Sequence, residues 1–125
     1  SNETLIALMG SMHMALLGPE GLESLAIRNA GACSAAKAAI FSIEGIESAH
    51  PNGFHFNEFV VKLPSEASKL LQYLDEECDV TGGFDLSNWW PEYDNQLLIC
   101  TTDQIDIEDI EQLAEGISKW LEVNA

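Results

Sequence analysis

Apolar and polar side chains alternate in the middle of the chain, over residues 56–64. Phe59, Val61 and Leu63 would share one face of an extended segment and the residues between them the other, which is the period of a half-buried strand. The proline at the end of this stretch would stop the strand, because it lacks the N–H that a ladder requires. The pattern therefore predicts a central strand over residues 57–63.

The segments before this strand carry apolar residues at helical spacing. A first helix is predicted over residues 3–17, with Gly18 at its C-terminal cap and Pro19 in the first turn of a second helix that ends near Glu44. Both helices are expected to pack their apolar stripes on the sheet. The first stripe comprises Leu5, Leu8, Met9, Met12 and Leu16, and the second comprises Leu22, Leu25, Ala26, Asn29, Cys33, Ala36, Ile40 and Ile43.

Shorter elements flank and follow the central strand. An edge strand is predicted over residues 46–49, and Ser65 would cap a helix after the central strand. A second, fully buried strand is predicted at residues 97–101, and Asp106 would cap the last helix. The order α-α-β-β-α-β-α predicts an α+β fold, a two-layer α/β arrangement in which a small antiparallel or mixed sheet carries helices on one face.

The length of 125 residues is that of one compact domain, so we expect a single domain over residues 1–125. The chain enters its first helix almost at once, and its start lacks the basic region of a signal peptide. We therefore expect a piece of a longer chain, with Ser1 and Asn2 as a cloning remnant.

The chain is strongly acidic, with 21 acidic and 5 basic residues and a formal net charge of −16. Such a surface repels phosphate backbones and anionic lipid headgroups, so we expect no nucleic-acid partner and no membrane role. No apolar run reaches about 18 residues, so no membrane-spanning helix is expected either. The odd, widely spaced cysteines, Cys33, Cys78 and Cys100, favour reduced, mostly buried thiols in a cytoplasmic protein.

Few residues qualify for catalysis. The chain lacks a nucleophile elbow, a phosphate-binding loop, a dinucleotide fingerprint and a His-Glu-x-x-His metal motif. His55, beside Asn57 and Glu58, is the best of the three histidines, although a structural role is favoured over a catalytic one. These residues lie where the apolar phase of the central strand slips, at a bulge or at the start of the strand. We expect no catalytic and no metal-binding residue in this chain.

The segment over residues 81–93 is the most informative one for function. Gly82 and Gly83 permit backbone conformations closed to other residues, and Trp89, Trp90 and Tyr93 offer large amphipathic surfaces. Two interpretations have equal weight. The segment either folds over the core of its own domain or forms a contact surface for another domain, a subunit or a ligand.

Four blocks of sequence resemble a known family. They are Leu-Leu-Gly-Pro-Glu-Gly-Leu at residues 16–22, Phe-Asn-Glu-Phe-Val-Val-Lys-Leu-Pro at 56–64, Gly-Gly-Phe-Asp-Leu at 82–86 and Pro-Glu-Tyr-Asp-Asn-Gln-Leu-Leu-Ile-Cys-Thr-Thr-Asp at 91–103. In this order they resemble the C-terminal end of subunit 1 of the decarboxylating glycine dehydrogenase. This is the alpha subunit of the P-protein of the glycine cleavage system, in its two-subunit bacterial form. The resemblance covers nearly the whole chain.

The resemblance implies the small C-terminal domain of a fold-type I pyridoxal-phosphate-dependent transferase. It implies an oxidoreductase of glycine catabolism, which decarboxylates glycine with pyridoxal phosphate and passes the aminomethyl group to the lipoyl arm of H-protein. The implied partners are P-protein subunit 2, in a heterotetramer, the missing large domain of subunit 1, and lipoylated H-protein. The cofactor lysine would belong to subunit 2.

The basic residues of the chain agree with this assignment of the cofactor. Pyridoxal phosphate needs a Schiff-base lysine, an acidic partner for its ring nitrogen and donors for its phosphate. No phosphate cup is apparent among Arg28, Lys37, Lys62, Lys69 and Lys119. We therefore expect that this fragment binds no cofactor, and that it is structural, interface-forming and inactive alone.

The sequence departs from the family pattern at two places. Asp103 stands where the family has Glu, and the pair Trp89-Trp90 replaces a more usual Tyr-rich pair. The helix over residues 3–17 is expected to connect to the missing large domain. The alternative is a free-standing small α/β ligand-binding or regulatory module that uses residues 82–93. The candidate interface residues are His55, Asn57, Glu58, Gly82, Gly83, Trp89, Trp90 and Tyr93.

Overall fold

The computed structural model describes residues 2–124, so Ser1 and Ala125, the two ends of the predicted domain, lie outside the described residues. Within that range the chain forms three α-helices, four β-strands and two short 3-10 helices. In chain order they are α1 (Glu3–Ile40), β1 (Glu47–Ser48), β2 (Glu58–Lys62), α2 (Ala67–Cys78), β3 (Phe84–Asp85), the 3-10 helices Leu86–Asn88 and Pro91–Tyr93, β4 (Gln96–Cys100) and α3 (Ile107–Asn124).

The strands form one antiparallel sheet in the order β1-β2-β4-β3. The central pair is β2 and β4, with Phe59 opposite Ile99 and Val61 opposite Leu97. All four of these side chains are buried on the face that the helices cover. The predicted central strand is thereby confirmed. Because the strand starts at Glu58, the apolar residues before it do not follow its alternation.

Strand β4 is half-buried, which corrects the prediction of a fully buried strand. Leu97 and Ile99 are buried, whereas Leu98 is half-buried and Cys100 is exposed. The strand alternates because helices cover only one face of the sheet. The exposed Cys100 and the half-buried Cys78 also contradict the expectation of mostly buried thiols. A further difference is β3, which lies inside the predicted loop and has two residues, too few to show a period.

The three helices pack on the same face of the sheet, and this confirms the α+β fold. Helices α2 and α3 approach each other closely at Gly116, where a Cβ would lie 2.6 Å from Cδ2 of Leu74. The buried helical residues of the core are Cys33, Ala36 and Ile40 of α1, Ala67, Leu70 and Leu74 of α2, and Ile110, Ile117, Trp120 and Leu121 of α3.

The two helices predicted at the start of the chain form one element, α1, which has a kink. The kink is at Gly18, whose φ of 65° and ψ of −178° are not helical, and Pro19 follows it as predicted. The helix ends at Ile40 and does not reach Glu44, because the N–H of Ile43 donates to the carbonyl of Ile40 in a tighter turn. The apolar stripe of the first half is exposed throughout, so it does not pack on the sheet as predicted.

The sequence predicts the N-terminal cap of α3 correctly and that of α2 incorrectly. Asp106 caps α3 as predicted, with its Oδ1 accepting from the N–H of Asp109 at 3.1 Å and the reciprocal bond at 3.0 Å. Ser65 does not cap α2, and its buried Oγ has no hydrogen-bond partner among the described residues. The N–H of Ala67 at the start of α2 donates instead to the carbonyl of Asp94, at 2.8 Å.

Candidate functional site

A cavity of about 510 Å³ lies between β4, α3 and the segment that follows α2. Its walls are mostly apolar, with Leu98, Ile99 and Ile110 among them, and Asp109 and Gln112 also contribute to its lining. No lysine, arginine or histidine of the described residues lines it. The cavity therefore has room for an apolar group and offers no histidine or lysine as a general base.

The histidine singled out in the sequence pairs with a lysine. Nδ1 of His55 lies 3.0 Å from Nζ of Lys37 in α1. Partial burial, followed by the positive charges of Lys37 and His50, lowers the pKa of His55. The neutral ring can accept a hydrogen bond from the lysine ammonium. Lys37 is thus the partner of His55, and the contact fastens the loop before β2 to α1.

Asn57 and Glu58 connect the same loop to β4. The carbonyl of Asn57 accepts from the N–H of Thr101 at 2.8 Å and from its Oγ1 at 3.5 Å. Glu58 lies opposite Cys100, and partial desolvation of the thiol, followed by the charge of Glu58, raises the pKa of Cys100 although the residue as a whole is exposed. Burial also raises the pKa of Cys33. Both thiols stay protonated near neutral pH, so neither is an activated nucleophile.

The two glycines lead into a segment with a well-fixed backbone. Gly83 has a φ of 144°, and a Cβ there would press on the carbonyl oxygen of Leu98, so only glycine lets the chain enter β3 here. The buried carboxylate of Asp85 accepts from the N–H of Ser87 at 2.8 Å. The carbonyl of Asp85 accepts from the side chain of Asn88 at 3.0 Å. These bonds hold the first 3-10 helix and position the tryptophans that follow it.

Phe84, Trp89 and Trp90 form an exposed group of rings that we call the aromatic cluster. The ring centroids of Phe84 and Trp89 are 5.4 Å apart, those of Trp89 and Trp90 are 5.7 Å apart, and both pairs are edge-to-face. Trp89 is 71% exposed and Trp90 is 45% exposed, and Tyr93 nearby is also exposed. The core of this chain therefore leaves much of this aromatic surface open.

The helix-free face of the sheet continues the aromatic cluster. Val60 lies opposite Leu98, and Leu98 lies opposite Phe84. Directly opposed residues of antiparallel strands place their side chains on the same face. The three residues thus form an apolar row across β2, β4 and β3 that meets Trp89 at the edge of the sheet. We call this surface the open sheet face.

The structure brings some of the predicted interface residues together and separates others. Glu58 lies on the open sheet face, two residues before Val60 on the same strand, and the glycine pair precedes β3 at the edge of that face. His55 instead contacts α1, and the carbonyl of Asn57 is bonded to the end of β4. The predicted residues therefore fall into two groups, the open sheet face with its aromatic cluster and the loop that precedes β2.

Three residues of the open sheet face, Val60, Leu98 and Phe84, are not among the interface residues that the sequence predicts. The pattern over residues 97–101 predicts a fully buried strand, and such a strand has no exposed face for Leu98. The available signal was Val60, an apolar residue between Glu58 and Lys62 on the outward side of β2.

The length and apolar composition of α1 are sufficient for a helix that crosses a membrane. None of the stretch that meets this criterion is buried within the described residues. This finding differs from the expectation drawn from the lack of an unbroken apolar run. Length and composition alone do not separate a membrane helix from one that packs on protein.

Two solved structures with low identity share the fold of this chain. The chain superposes on a NifS-like protein from Rickettsia africae with a TM-score of 0.69, over 82% of this chain and 31% of that one, at 14% identity. It superposes on a phosphoserine aminotransferase from Cytophaga hutchinsonii with a TM-score of 0.63, over 86% and 28% of the two chains, at 11% identity. At such identities the likeness shows the fold alone. The shared fold is the predicted α+β arrangement, a small antiparallel sheet with helices on one face.

More similar proteins have higher identity over nearly the whole chain. The crystal structure of glycine decarboxylase, the P-protein of the glycine cleavage system, in inhibitor-bound form matches with a TM-score of 0.83 and 31% identity over 95% of this chain. Probable glycine dehydrogenase (decarboxylating) subunit 1 of Dictyoglomus turgidum is 32% identical over 121 residues, and that of Methylococcus capsulatus is 34% identical over 122 residues. Over nearly its whole length the chain is similar to part of glycine dehydrogenase (decarboxylating) subunit 1, which confirms the resemblance carried by the four sequence blocks.

The matches cover nearly all of this chain but only part of its relatives. The two curated proteins match 97% and 98% of the chain, which spans 26% of the length of each. The chain thus spans about a quarter of the length of these relatives, consistent with the predicted C-terminal fragment. A large domain of such a subunit would lie in the remaining length. No family model matches the chain.

Proposed function

We propose that this chain is the small C-terminal domain of subunit 1 of a decarboxylating glycine dehydrogenase, and that its role is structural. The complete enzyme would decarboxylate glycine and pass the aminomethyl group to the lipoyl arm of H-protein. It would do so in the cytoplasm, as a heterotetramer with subunit 2. The observation that carries the proposal is the match to subunit 1 over 97% of this chain.

The cofactor of the complete enzyme would be pyridoxal phosphate, held outside this chain. This proposal rests on the positions of the basic side chains. Lys69 and Lys119 form exposed ion pairs with Glu66 and Glu115, at 3.1 and 3.4 Å. Lys37 faces His55. The cavity between β4 and α3 has no lysine or arginine among its described lining residues, so it lacks both the Schiff-base nitrogen and a basic donor for the phosphate.

The domain would instead supply contact surface. The open sheet face and the aromatic cluster combine apolar side chains with large rings on a fixed backbone, which is the composition of binding hot spots. We assign this surface, with Trp89, Trp90, Tyr93 and Glu58, to contacts with subunit 2. The loop that carries His55 and Asn57 is assigned to contacts with the large domain of subunit 1.

Borohydride reduction of the complete two-subunit enzyme tests the assignment of the cofactor. Reduction makes the bond between pyridoxal phosphate and its lysine permanent, so that mass spectrometry can locate the modified residue. We expect the label on a lysine of subunit 2. A label on a lysine of this chain would contradict the proposal, and the candidates would be Lys37, Lys62, Lys69 and Lys119.

A free-standing ligand-binding module is the second candidate function. The observation that favours it is the cavity of about 510 Å³ with its mostly apolar lining, a size typical of small-molecule sites. The two functions differ in the size of the native polypeptide. A subunit about four times the length of this chain favours the enzyme domain, whereas a native protein of this length favours the module.

A further inference from the structure

We propose that residues 3–17 of α1, which we call the N-terminal arm, are covered in the complete protein by the part of the same subunit that lies outside this chain. The proposal rests on the assignment of the chain to a longer subunit. It adds the location of the contact between the two parts of that subunit and the residues that make it.

The arm extends away from the body of the domain. Every residue from Asn2 to Leu16 is exposed. The buried residues of α1 are Cys33, Ala36 and Ile40, all in its last two to three turns. The helix is therefore held to the core at its C-terminal end, and the arm, beyond the kink at Gly18, has no part in that core.

The arm is too apolar to be a solvent-exposed helix. The 16 residues between Glu3 and Glu20 include no charged side chain, although charged residues make up 21% of the chain. Leu16 is 87% exposed and Ile6 is 67% exposed. A helix that is apolar on most of its circumference is normally buried, and an exposed apolar patch of this kind normally marks a contact surface.

The chemistry of the arm favours a protein partner over a membrane. Although α1 as a whole is long and apolar enough to cross a membrane, its uncharged run of 16 residues is shorter than the roughly 20 that usually span a bilayer. Glu3 precedes the run, and Glu20 and Glu23 follow it, whereas segments anchored at membranes usually carry lysine or arginine at their ends. The acidic ends would be repelled by anionic lipid headgroups.

The comparisons favour the same subunit as the partner. The match to subunit 1 of Dictyoglomus turgidum leaves four of the 125 residues of this chain unmatched, so at least 11 of the 15 residues of the arm lie within the match. The structural match to the P-protein covers 95% of this chain. The relative from Dictyoglomus turgidum has nearly three quarters of its length outside the region that the chain matches. That part of the subunit is large enough to cover the arm.

One side of the arm is assigned to the contact. Leu5, Met9, Met12 and Leu16 recur at intervals of three or four residues and lie on one side of the helix. Met14 follows Met12 by two positions, or about 200° around the helix, so it lies on the other side. Met9, Met12 and Met14 are 57%, 55% and 52% exposed. They are the only methionines of the chain, and they form a natural set of probes with one matched control.

Oxidation by hydrogen peroxide tests the proposal on the full-length subunit without any substitution. Methionine oxidises at a rate that follows its exposure, and mass spectrometry of peptides reports each site separately. We expect Met9 and Met12 to oxidise at least about tenfold more slowly in the native subunit than in the same subunit unfolded in guanidinium. Met14 is expected to be less protected than either.

Three outcomes would overturn the proposal. Met9 and Met12 could oxidise as fast as in the unfolded subunit, they could be protected only when lipid vesicles are added, or their protection could depend on subunit concentration. The last two outcomes would indicate a membrane and a second copy of the chain, respectively. Glycine decarboxylation, measured with subunit 2 and lipoylated H-protein on an untreated portion of the same preparation, separates this proposal from the proposed function. Activity without protection overturns only the contact, and protection without activity overturns only the enzyme assignment.

Discussion

Replacement of Gly116 by Ala tests the packing of α2 on α3. A Cβ at this position would lie 2.6 Å from Cδ2 of Leu74 and 3.3 Å from Sγ of Cys78. Leu74 is fully buried, so it cannot move aside without disturbing its own neighbours. An extra carbon in a well-packed core costs about 1–3 kcal/mol of folding free energy. We therefore expect the packing term of this substitution to be destabilising.

A second glycine separates the packing term from helix propensity. Exchange of glycine for alanine in a helix gains about 1 kcal/mol from propensity alone. Gly31 in α1 is the matched control, since a Cβ there meets nothing within 4 Å. Gly31→Ala should stabilise the chain by up to about 1 kcal/mol. Gly116→Ala should be less stable than Gly31→Ala by about 1–3 kcal/mol.

Urea unfolding of the two variants and of the unchanged chain, followed by circular dichroism, measures this difference. When the slopes of the transitions agree, the midpoints report the free energies of unfolding directly. Equal stability of Gly116→Ala and Gly31→Ala would refute the reasoning. It would mean that Leu74 does not pack against α3 at this position.

Three further predictions concern the surface, the loop before β2 and the start of α3. Joint replacement of Trp89 and Trp90 by Ala should weaken binding to subunit 2 by about 2 kcal/mol or more, measured by calorimetric titration. The exposed control Val123→Ala should leave the affinity unchanged. Unchanged affinity of the double variant would mean that the two rings have a role only within this chain. Because the pKa of His55 is lowered on folding, the unfolded chain takes up its proton at a higher pH than the folded chain does. Stability in urea should therefore fall as the pH drops below about 6.5, and His55→Gln should flatten that fall; an equally steep fall in the variant would exclude His55 as its source. Asp106→Ala should cost about 1 kcal/mol and Asp106→Asn much less, because only alanine removes the acceptor for the N–H of Asp109; equal losses in urea unfolding would contradict the cap.

The sequence predicts the central strand and the cap of α3 because both depend on local patterns. The period of two in β2 and the Asp at the start of α3 each report a contact that a few neighbouring residues decide. Strand β3 is not predictable in this way, since its two residues are defined by hydrogen bonds to β4. The same limit applies to Ser65, whose expected cap is replaced by a bond from Ala67 to the distant Asp94.

The candidate site also has some features that the sequence predicts and others that it does not. The tryptophans and the glycine pair are recognisable from composition, because large rings next to glycines are typical of contact surfaces. The row from Val60 through Leu98 to Phe84 depends on the register between three strands, which the sequence alone does not specify. The partner of His55 is also determined by tertiary structure, since Lys37 lies in α1 and far away in the sequence.

The role of this domain in the enzyme is tested most directly by its removal. Full-length subunit 1, with and without the region that corresponds to this chain, would be mixed with subunit 2 and lipoylated H-protein. The exchange of labelled bicarbonate into the carboxyl group of glycine would then be measured. Loss of exchange together with loss of the heterotetramer is the predicted result, because the domain supplies contact surface. Exchange at an unchanged rate without this domain would contradict the account.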